Sequence, residues 1–230
     1  MNEINPELYP DVLEQGSLVS AMTAAAREHG LDLGSVCSQS EVAPGLLTTA
    51  EVDSSRGRFM VWLGGQSRTF FVGIQERRFI WAEGATDSLN ALVAAAAAWR
   101  DGMRVGDFAK KFPFMTLTRL ARDREAGNSI PAQWNWLLTA DTFEEEHPMV
   151  KIVHSDGRFT ALFPNLSHGT LRLSTNLGVQ GAREIHICPL DEGLYRVEDT
   201  QQAGSRSTAS SLTEAVEIAA RFLSRDPKEA

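Results

Sequence analysis

The chain has 230 residues, 43% of them hydrophobic and 23% charged, with 22 Lys and Arg against 30 Asp and Glu for a formal net charge of −8. That balance excludes a disordered, collagen-like or disulfide-built chain and fits one large domain or two small ones. It also argues against nucleic-acid binding, which rests on clustered Lys and Arg.

No run is long enough for a membrane: the longest apolar stretch, Ala91 to Trp99, falls far short of the ~20 residues a spanning helix needs. The opening Met1-Asn2-Glu3-Ile4-Asn5-Pro6-Glu7 lacks the basic and apolar segments of a signal peptide. Two cysteines, Cys37 and Cys188, read as reduced thiols in a cytoplasmic protein.

Pro10 and Gly16 restrict any first helix, over Glu7 to Gln15, to a short one. Ser17 then caps a predicted helix from Leu18 to His29, with Leu18, Met22, Ala25 and Ala26 on one face and Gly30 as its left-handed stop. Four β-favouring runs follow: Leu46 to Val52, Arg58 to Leu63, Thr69 to Ile74 and Phe79 to Glu83. The turns Ser54 to Gly57, Gly64 to Ser67 and Gln75 to Arg78 separate them, so they read as an antiparallel meander. A helix capped by Thr86 or Asp87 comes next. Its Leu89, Leu92, Val93, Ala96 and Trp99 form one apolar stripe, and Gly102 ends it.

Residues 103–146 read as helical and linking: Val105 to Phe112, stopped by Pro113; Thr116 to Ala126, stopped by Gly127; and a helix opened by Pro131. Glu144-Glu145-Glu146-His147-Pro148 reads as a charged hinge. A second strand zone is expected at Met149 to Val153, Phe159 to Phe163, Thr170 to Ser174, Glu184 to Cys188 and Leu194 to Glu198. Ser155-Asp156-Gly157-Arg158 is its Asp-Gly hairpin turn. The last helix starts at Ser210 or Ser211, and Ser211 with Glu214 makes a capping box.

The two halves share an order of turn, Gly-Arg-Phe, strands, Ser-Leu and helix. Gly57-Arg58-Phe59 answers Gly157-Arg158-Phe159, and Ser88-Leu89 answers Ser211-Leu212. An internal duplication with an insertion around Asn176 to Arg183 in the second copy would give this order, and so would any two meanders each followed by a helix. The expected fold class is α+β: two antiparallel β-meander-plus-helix units, over 1–102 and 147–230, joined by a short helical segment over 103–146.

Several short motifs stand out: Arg68-Thr69-Phe70-Phe71-Val72-Gly73-Ile74, Trp81-Ala82-Glu83-Gly84-Ala85-Thr86, Ala97-Ala98-Trp99-Arg100-Asp101-Gly102, Phe112-Pro113-Phe114, and Leu162-Phe163-Pro164 before His168. Through them the chain resembles an actinobacterial family of unknown function often labelled natural product biosynthesis proteins. The resemblance covers about residues 55–225. It implies association with biosynthetic gene clusters; it implies no reaction and supplies no catalytic residues.

The chain has no P-loop, no Gly-x-Gly-x-x-Gly turn between strand and helix, no His-Glu-x-x-His and no Gly-x-Ser-x-Gly elbow. His186-Ile187-Cys188 would place an imidazole and a thiol on one face of a strand. With His154 and His168 in the same half, it is the candidate His/Cys cluster, for a Cys nucleophile or a metal. The structural reading is a small buried Cys beside a hydrogen-bonded His, and without paired ligand spacing no metal or cofactor is assigned.

Arg77 and Arg78, in a turn, could clasp an anion or stand as exposed charges. Trp134 and Trp136 are two apart on a helix and cannot share a face, which leaves one of them for solvent or a partner. The six basic residues against three acidic ones in 103–130 read as a solvated face.

Three functional readings follow. The first is a non-catalytic accessory or binding protein of a bacterial natural-product or conflict locus, recognising a protein, peptide or small molecule. The second is an immunity protein or dedicated chaperone whose acidic surface meets one basic partner. The third is an enzyme built on the His/Cys cluster. A homodimer through an exposed edge strand is left open by the unprotected edges.

Overall fold

In the computed structural model, residues 3–38, 46–77, 79–176, 182–201 and 205–224 are described, and the chain divides into two units, Met1–Glu125 and Ala126–Ala230. Both carry an antiparallel sheet with helices, so the fold is α+β.

The first unit opens with the short helix α1 (Pro10–Glu14) and then α2 (Leu18–Glu28), whose N-terminus is closed by the Ser17 hydroxyl accepting from the Ser20 N–H at 3.1 Å. Six strands follow: β1 (Val36–Cys37), β2 (Thr49–Val52), β3 (Arg58–Leu63), β4 (Phe70–Glu76), β5 (Phe79–Thr86) and, further along, β6 (Met115–Leu117). They pair in chain order, each antiparallel to the next. Between β5 and β6 lie α3 (Leu89–Arg100) and α4 (Val105–Lys111), and α5 (Ala121–Glu125) closes the unit.

The cap of α3 is Ser88, accepting from the Ala91 N–H; the expected Thr86 instead accepts from the Ser88 N–H. Helix α2 packs on β2 and α3, and α3 packs on β5. One sheet face therefore buries Ala50, Val52, Phe59, Val61, Val72 and Ile74. A bulge at Ile74/Gln75 shifts the β4–β5 register, so Trp81 and Ala82 are both buried. Arg68 ties α1 to the β3–β4 turn through a two-pronged ion pair with Asp11 at 2.7 and 2.8 Å, which holds that carboxyl below its ordinary range.

The second unit begins with α6 (Ser129–Thr139) and α7 (His147–Ser155). The sheet follows: β7 (Phe163–Ser167), β8 (Thr170–Ser174), β9 (Glu184–Pro189), β10 (Tyr195–Asp199) and β11 (Arg206–Ala209), paired in chain order, before α8 (Leu212–Leu223). Leu171, Leu173, Ile185, Ile187 and Val197 point to one face and share a core with the apolar sides of α6, α7 and α8. At the start of α8 the Ser211 hydroxyl accepts from Glu214 N–H, while the Glu214 carboxylate reaches Ser210 and not Ser211.

Several expectations are corrected. Met149 to Val153 is helix, because Pro148 sits in the first turn of α7 and Met149, Val150 and Val153 fall on one buried helical face. The hinge at 144–148 is thus a turn over 144–146, after the 3-10 stretch Asp141–Phe143, and the first two residues of that helix. Gly157–Phe159 is a 3-10 turn after the helix, so Phe159 to Phe163 is not a strand and Ser155 to Arg158 is not a hairpin.

The hairpin turn is His168-Gly169, with φ +50 and +71 between paired Ser167 and Thr170. Thr116 to Ala126 divides between β6, which finds a partner in β5, and α5. Gly57-Arg58-Phe59 enters a strand and Gly157-Arg158-Phe159 does not, so these tripeptides are not structural equivalents. The expected insertion around Asn176 to Arg183 lies largely outside the described residues.

Candidate functional site

Side chains alternate across a strand. In β3, Phe59 and Val61 point into the first unit's core, which sends Met60 and Trp62 to the opposite face. Register then places Trp62 beside Phe71, Met60 beside Gly73, Glu51 beside Met60 and Thr49 beside Trp62. This outer face is apolar where an exposed face is ordinarily polar. Trp62 (42% exposed) stacks on Phe71 (38%) with ring centroids 5.9 Å apart and planes 20° from parallel. Gly73 gives the indole a floor, since a Cβ there would stand 3.5 Å from the Trp62 ring.

Beside the stack is a cleft of about 310 Å³ lined by Thr49, Ala50, Glu51, Met60, Val61 and Trp62. Two of these residues carry a buried polar atom without a hydrogen-bond partner among the described residues, Thr49 Oγ1 and Glu51 Oε1. The Glu51 side chain is 5% exposed, and its other oxygen takes only a long 3.3 Å contact from Arg58 Nη1. Met60 is shared with a second, polar cleft of about 470 Å³ that includes Arg58, Asp53, Glu76 and Arg77. The face therefore runs from an aromatic platform with a buried carboxylate to a charged end.

Cys37 lies directly across from Glu51 at the edge of this face. Desolvation, then the carboxylates of Glu51 and Asp53, push its thiol above the ordinary range. A higher pKa leaves less thiolate at neutral pH, and the thiolate is the nucleophile. Iodoacetamide at pH 7.5 should alkylate Cys37 more slowly than a cysteine in an unstructured peptide, the rate climbing as pH passes the ordinary thiol range. Glu51→Gln removes one of the two raising carboxylates and should speed the reaction; peptide mapping by mass spectrometry reads both.

The residues singled out by sequence fall elsewhere. Arg77 is exposed in the β4–β5 turn at φ +55 and lines the polar cleft, whereas Arg78 lies outside the described residues. Trp134 is 1% exposed and its indole N–H donates to Leu162 O at 3.2 Å, so it is a core residue and presents nothing to a partner. Trp136 is partly buried and packs edge-on against Phe143.

His186 and Cys188 do share the outer face of β9, with Arg172 and Arg196 opposite them. The imidazole is engaged by Glu184 at 2.8 Å, and the thiol donates to Pro189 O at 3.4 Å. His154 sits on α7 with its ring 5.0 Å from that of Trp134, and His168 shapes the hairpin turn. The structure thus joins two members of the four-residue cluster and leaves His154 in the helical layer. Among the described residues no three His, Cys, Asp or Glu side chains are grouped to hold a metal ion. Both cysteines are free.

What sequence reasoning missed is the outer face of the first sheet. The signal was present: Met60 and Trp62 alternate with the equally apolar Phe59 and Val61, which means that both faces of β3 are apolar.

The fold and this face define an α+β protein of two sheet-and-helix units, with its candidate site on the first unit's sheet. Residues 128–230 match the family described as "Family of unknown function (DUF6193)", which leaves the region bearing the candidate site outside the match. No curated protein and no solved structure matches the chain. No helix among the described residues is long and apolar enough to cross a membrane.

Proposed function

We propose that this protein is a non-catalytic binding protein that recognises a small organic molecule on the outer face of its first sheet. The observation that carries the reading is the exposed Trp62–Phe71 stack beside a cleft lined by two residues with unsatisfied polar atoms. An apolar cleft with a few convergent polar groups is the ordinary form of a small-molecule site, and about 310 Å³ is within the range such sites occupy. The motifs that resemble an actinobacterial natural-product family support an accessory role beside biosynthetic enzymes, and the two free thiols support a cytoplasmic setting.

The test is a screen of the full chain against a mixed library of small aromatic acids, amines and neutral compounds, read by the indole N–H resonances of its five tryptophans. Hits should move the Trp62 resonance, and Trp62→Ser should weaken their binding by about tenfold or more, as loss of an aromatic anchor does. A screen in which no compound moves Trp62, or in which hits bind Trp62→Ser equally well, refutes the reading.

A further inference from the structure

We infer that the ligand of the Thr49–Glu51–Trp62 cleft is a small primary amine bound as its ammonium, with an aryl body lying on Trp62. This rests on the binding reading above and adds the chemistry of the ligand.

Glu51 Oε1 is buried, and none of the described residues donates to it. A buried charged acceptor with no donor forfeits the hydration it had in the unfolded chain, so native proteins rarely leave one unmatched. The second oxygen of the same carboxylate takes Arg58 Nη1 at 3.3 Å, and Arg58 Nε is committed to Asp53 at 3.1 Å. One oxygen is thereby engaged and the other is unmatched, on a residue that lines the cleft. A carboxylate only accepts, so its missing partner must donate.

Thr49 narrows the partner further. Its hydroxyl is two residues along the same strand, leaves the same face and is also buried and unmatched. A hydroxyl can accept from one N–H while a carboxylate accepts from another. An ammonium, with three N–H bonds spread tetrahedrally, can meet both and neutralise the charge. A hydroxyl offers a single donor and no charge.

The third element is the aromatic platform. Trp62 shares the lining of the cleft, and the face of an indole ring attracts cations as well as flat apolar groups. An aryl or indolyl body on the stack would place its amine toward β2, where Glu51 and Thr49 stand. An anion is rejected by the same carboxylate, and a neutral isostere recovers the stacking without the charge-assisted bond.

The experiment uses three matched pairs that differ only in the head group: benzylamine and benzyl alcohol, phenethylamine and 2-phenylethanol, tryptamine and tryptophol. Each is titrated into the full chain at pH 7 and followed at the Trp62 indole N–H. At least one amine should bind about tenfold more tightly than its alcohol, the size expected of one charge-assisted contact in a shielded site. Glu51→Gln should bring the pair to within about threefold, and Thr49→Val should weaken the amine more than the alcohol.

Amines and alcohols that move Trp62 equally would overturn the inference while leaving the binding reading intact. A preference for amines that survives Glu51→Gln would also overturn it. If no member of any pair moves Trp62, the amine inference fails, and the broader library decides the binding reading separately. The comparison within wild-type protein needs no variant to fold. For the variants, unchanged Trp81 and Trp99 resonances show that the first unit is intact.

Discussion

Replacing Arg183 by Met should destabilise the second unit by about 3–5 kcal/mol, the cost typical of removing one member of a buried ion pair. Asp199 is fully buried, and one of its oxygens accepts from Arg183 Nε at 3.0 Å and Nη2 at 2.7 Å. Its other oxygen accepts from the Gln201 N–H at 3.1 Å. The guanidinium also donates to the Phe222 carbonyl in the last turn of α8. The pair thus fastens the entry to β9, the end of β10 and the end of α8 at one point.

Without Arg183 the Asp199 carboxylate stays buried with its charge unbalanced by that guanidinium. Desolvation then acts at full strength, since the attraction that offset it is gone. The double variant Arg183→Met/Asp199→Leu should recover most of the loss, because removing both charges removes the desolvation penalty along with the attraction. Urea unfolding followed at the Trp134 indole N–H, which lies in this unit's core, reads both variants. A single-variant loss below about 1 kcal/mol, the range of exposed pairs, would show that the pair is solvent-screened.

The parts of this fold that the sequence made legible are those in which local chemistry and tertiary packing agree. Ser17 and Ser211 cap the helices they were expected to cap, and Arg58 to Leu63 and Thr170 to Ser174 are strands with the expected bounds. Of the apolar stripe from Leu89 to Trp99, Leu92, Val93, Ala96 and Trp99 are buried on the helix, and Leu89 is half-buried at its start.

The misreadings fall where the two disagree. Met149 to Val153 carries β-branched residues, yet Pro148 presets a first helical turn and the buried positions follow helical spacing. Met115–Leu117 is a strand only because β5 offers it a partner some thirty residues back, a long-range pairing that no local pattern announces. Gly-Arg-Phe occurs twice with different outcomes. Gly57 has φ +118 and a site where a Cβ would come within 2.6 Å of the Gln75 carbonyl, whereas Gly157 faces open space at φ +35. The tripeptide carries no fold by itself.

The candidate site divides the same way. That Trp62 and Met60 stand on an outer face could be read from the parity of β3. That Glu51 is buried and half unsatisfied could not, because satisfaction is a property of everything that surrounds the side chain. The reverse happened at Trp134 and at His154 and His168. Their residue types suggested a surface site or a ligand set, and packing assigned Trp134 to the core, His154 to a ring contact and His168 to a turn.

Trp99→Ala should cost the first unit about 3–5 kcal/mol, as truncation of a large aromatic in a core does. Trp99 is 0% exposed. Its ring meets Trp81 and Phe108 edge-on, with centroids 5.8 and 5.5 Å away. The Arg56 guanidinium lies 3.9 Å from the ring centroid while pairing with Glu125 at 2.9 Å. The indole thus links α3 to β5 and α4 and forms the apolar surface under a cation that burial already disfavours. Alanine would leave a cavity that these rings cannot all collapse into and would strip that surface from Arg56.

Because Trp99 Nε1 is buried without a hydrogen-bond partner among the described residues, the loss comes from packing and the Arg56 contact and none of it from a broken hydrogen bond. That separates two substitutions. Trp99→Phe keeps an edge-on ring and deletes an unsatisfied donor, so it should cost less than half as much as Trp99→Ala, or about 2 kcal/mol at most. Urea unfolding read at the Trp81 indole N–H gives both values. Equal losses for Phe and Ala would mean that the retained ring packs no better than a methyl group, and a loss under about 1 kcal/mol for Ala would mean that the aromatic cluster is not the centre of this unit's core.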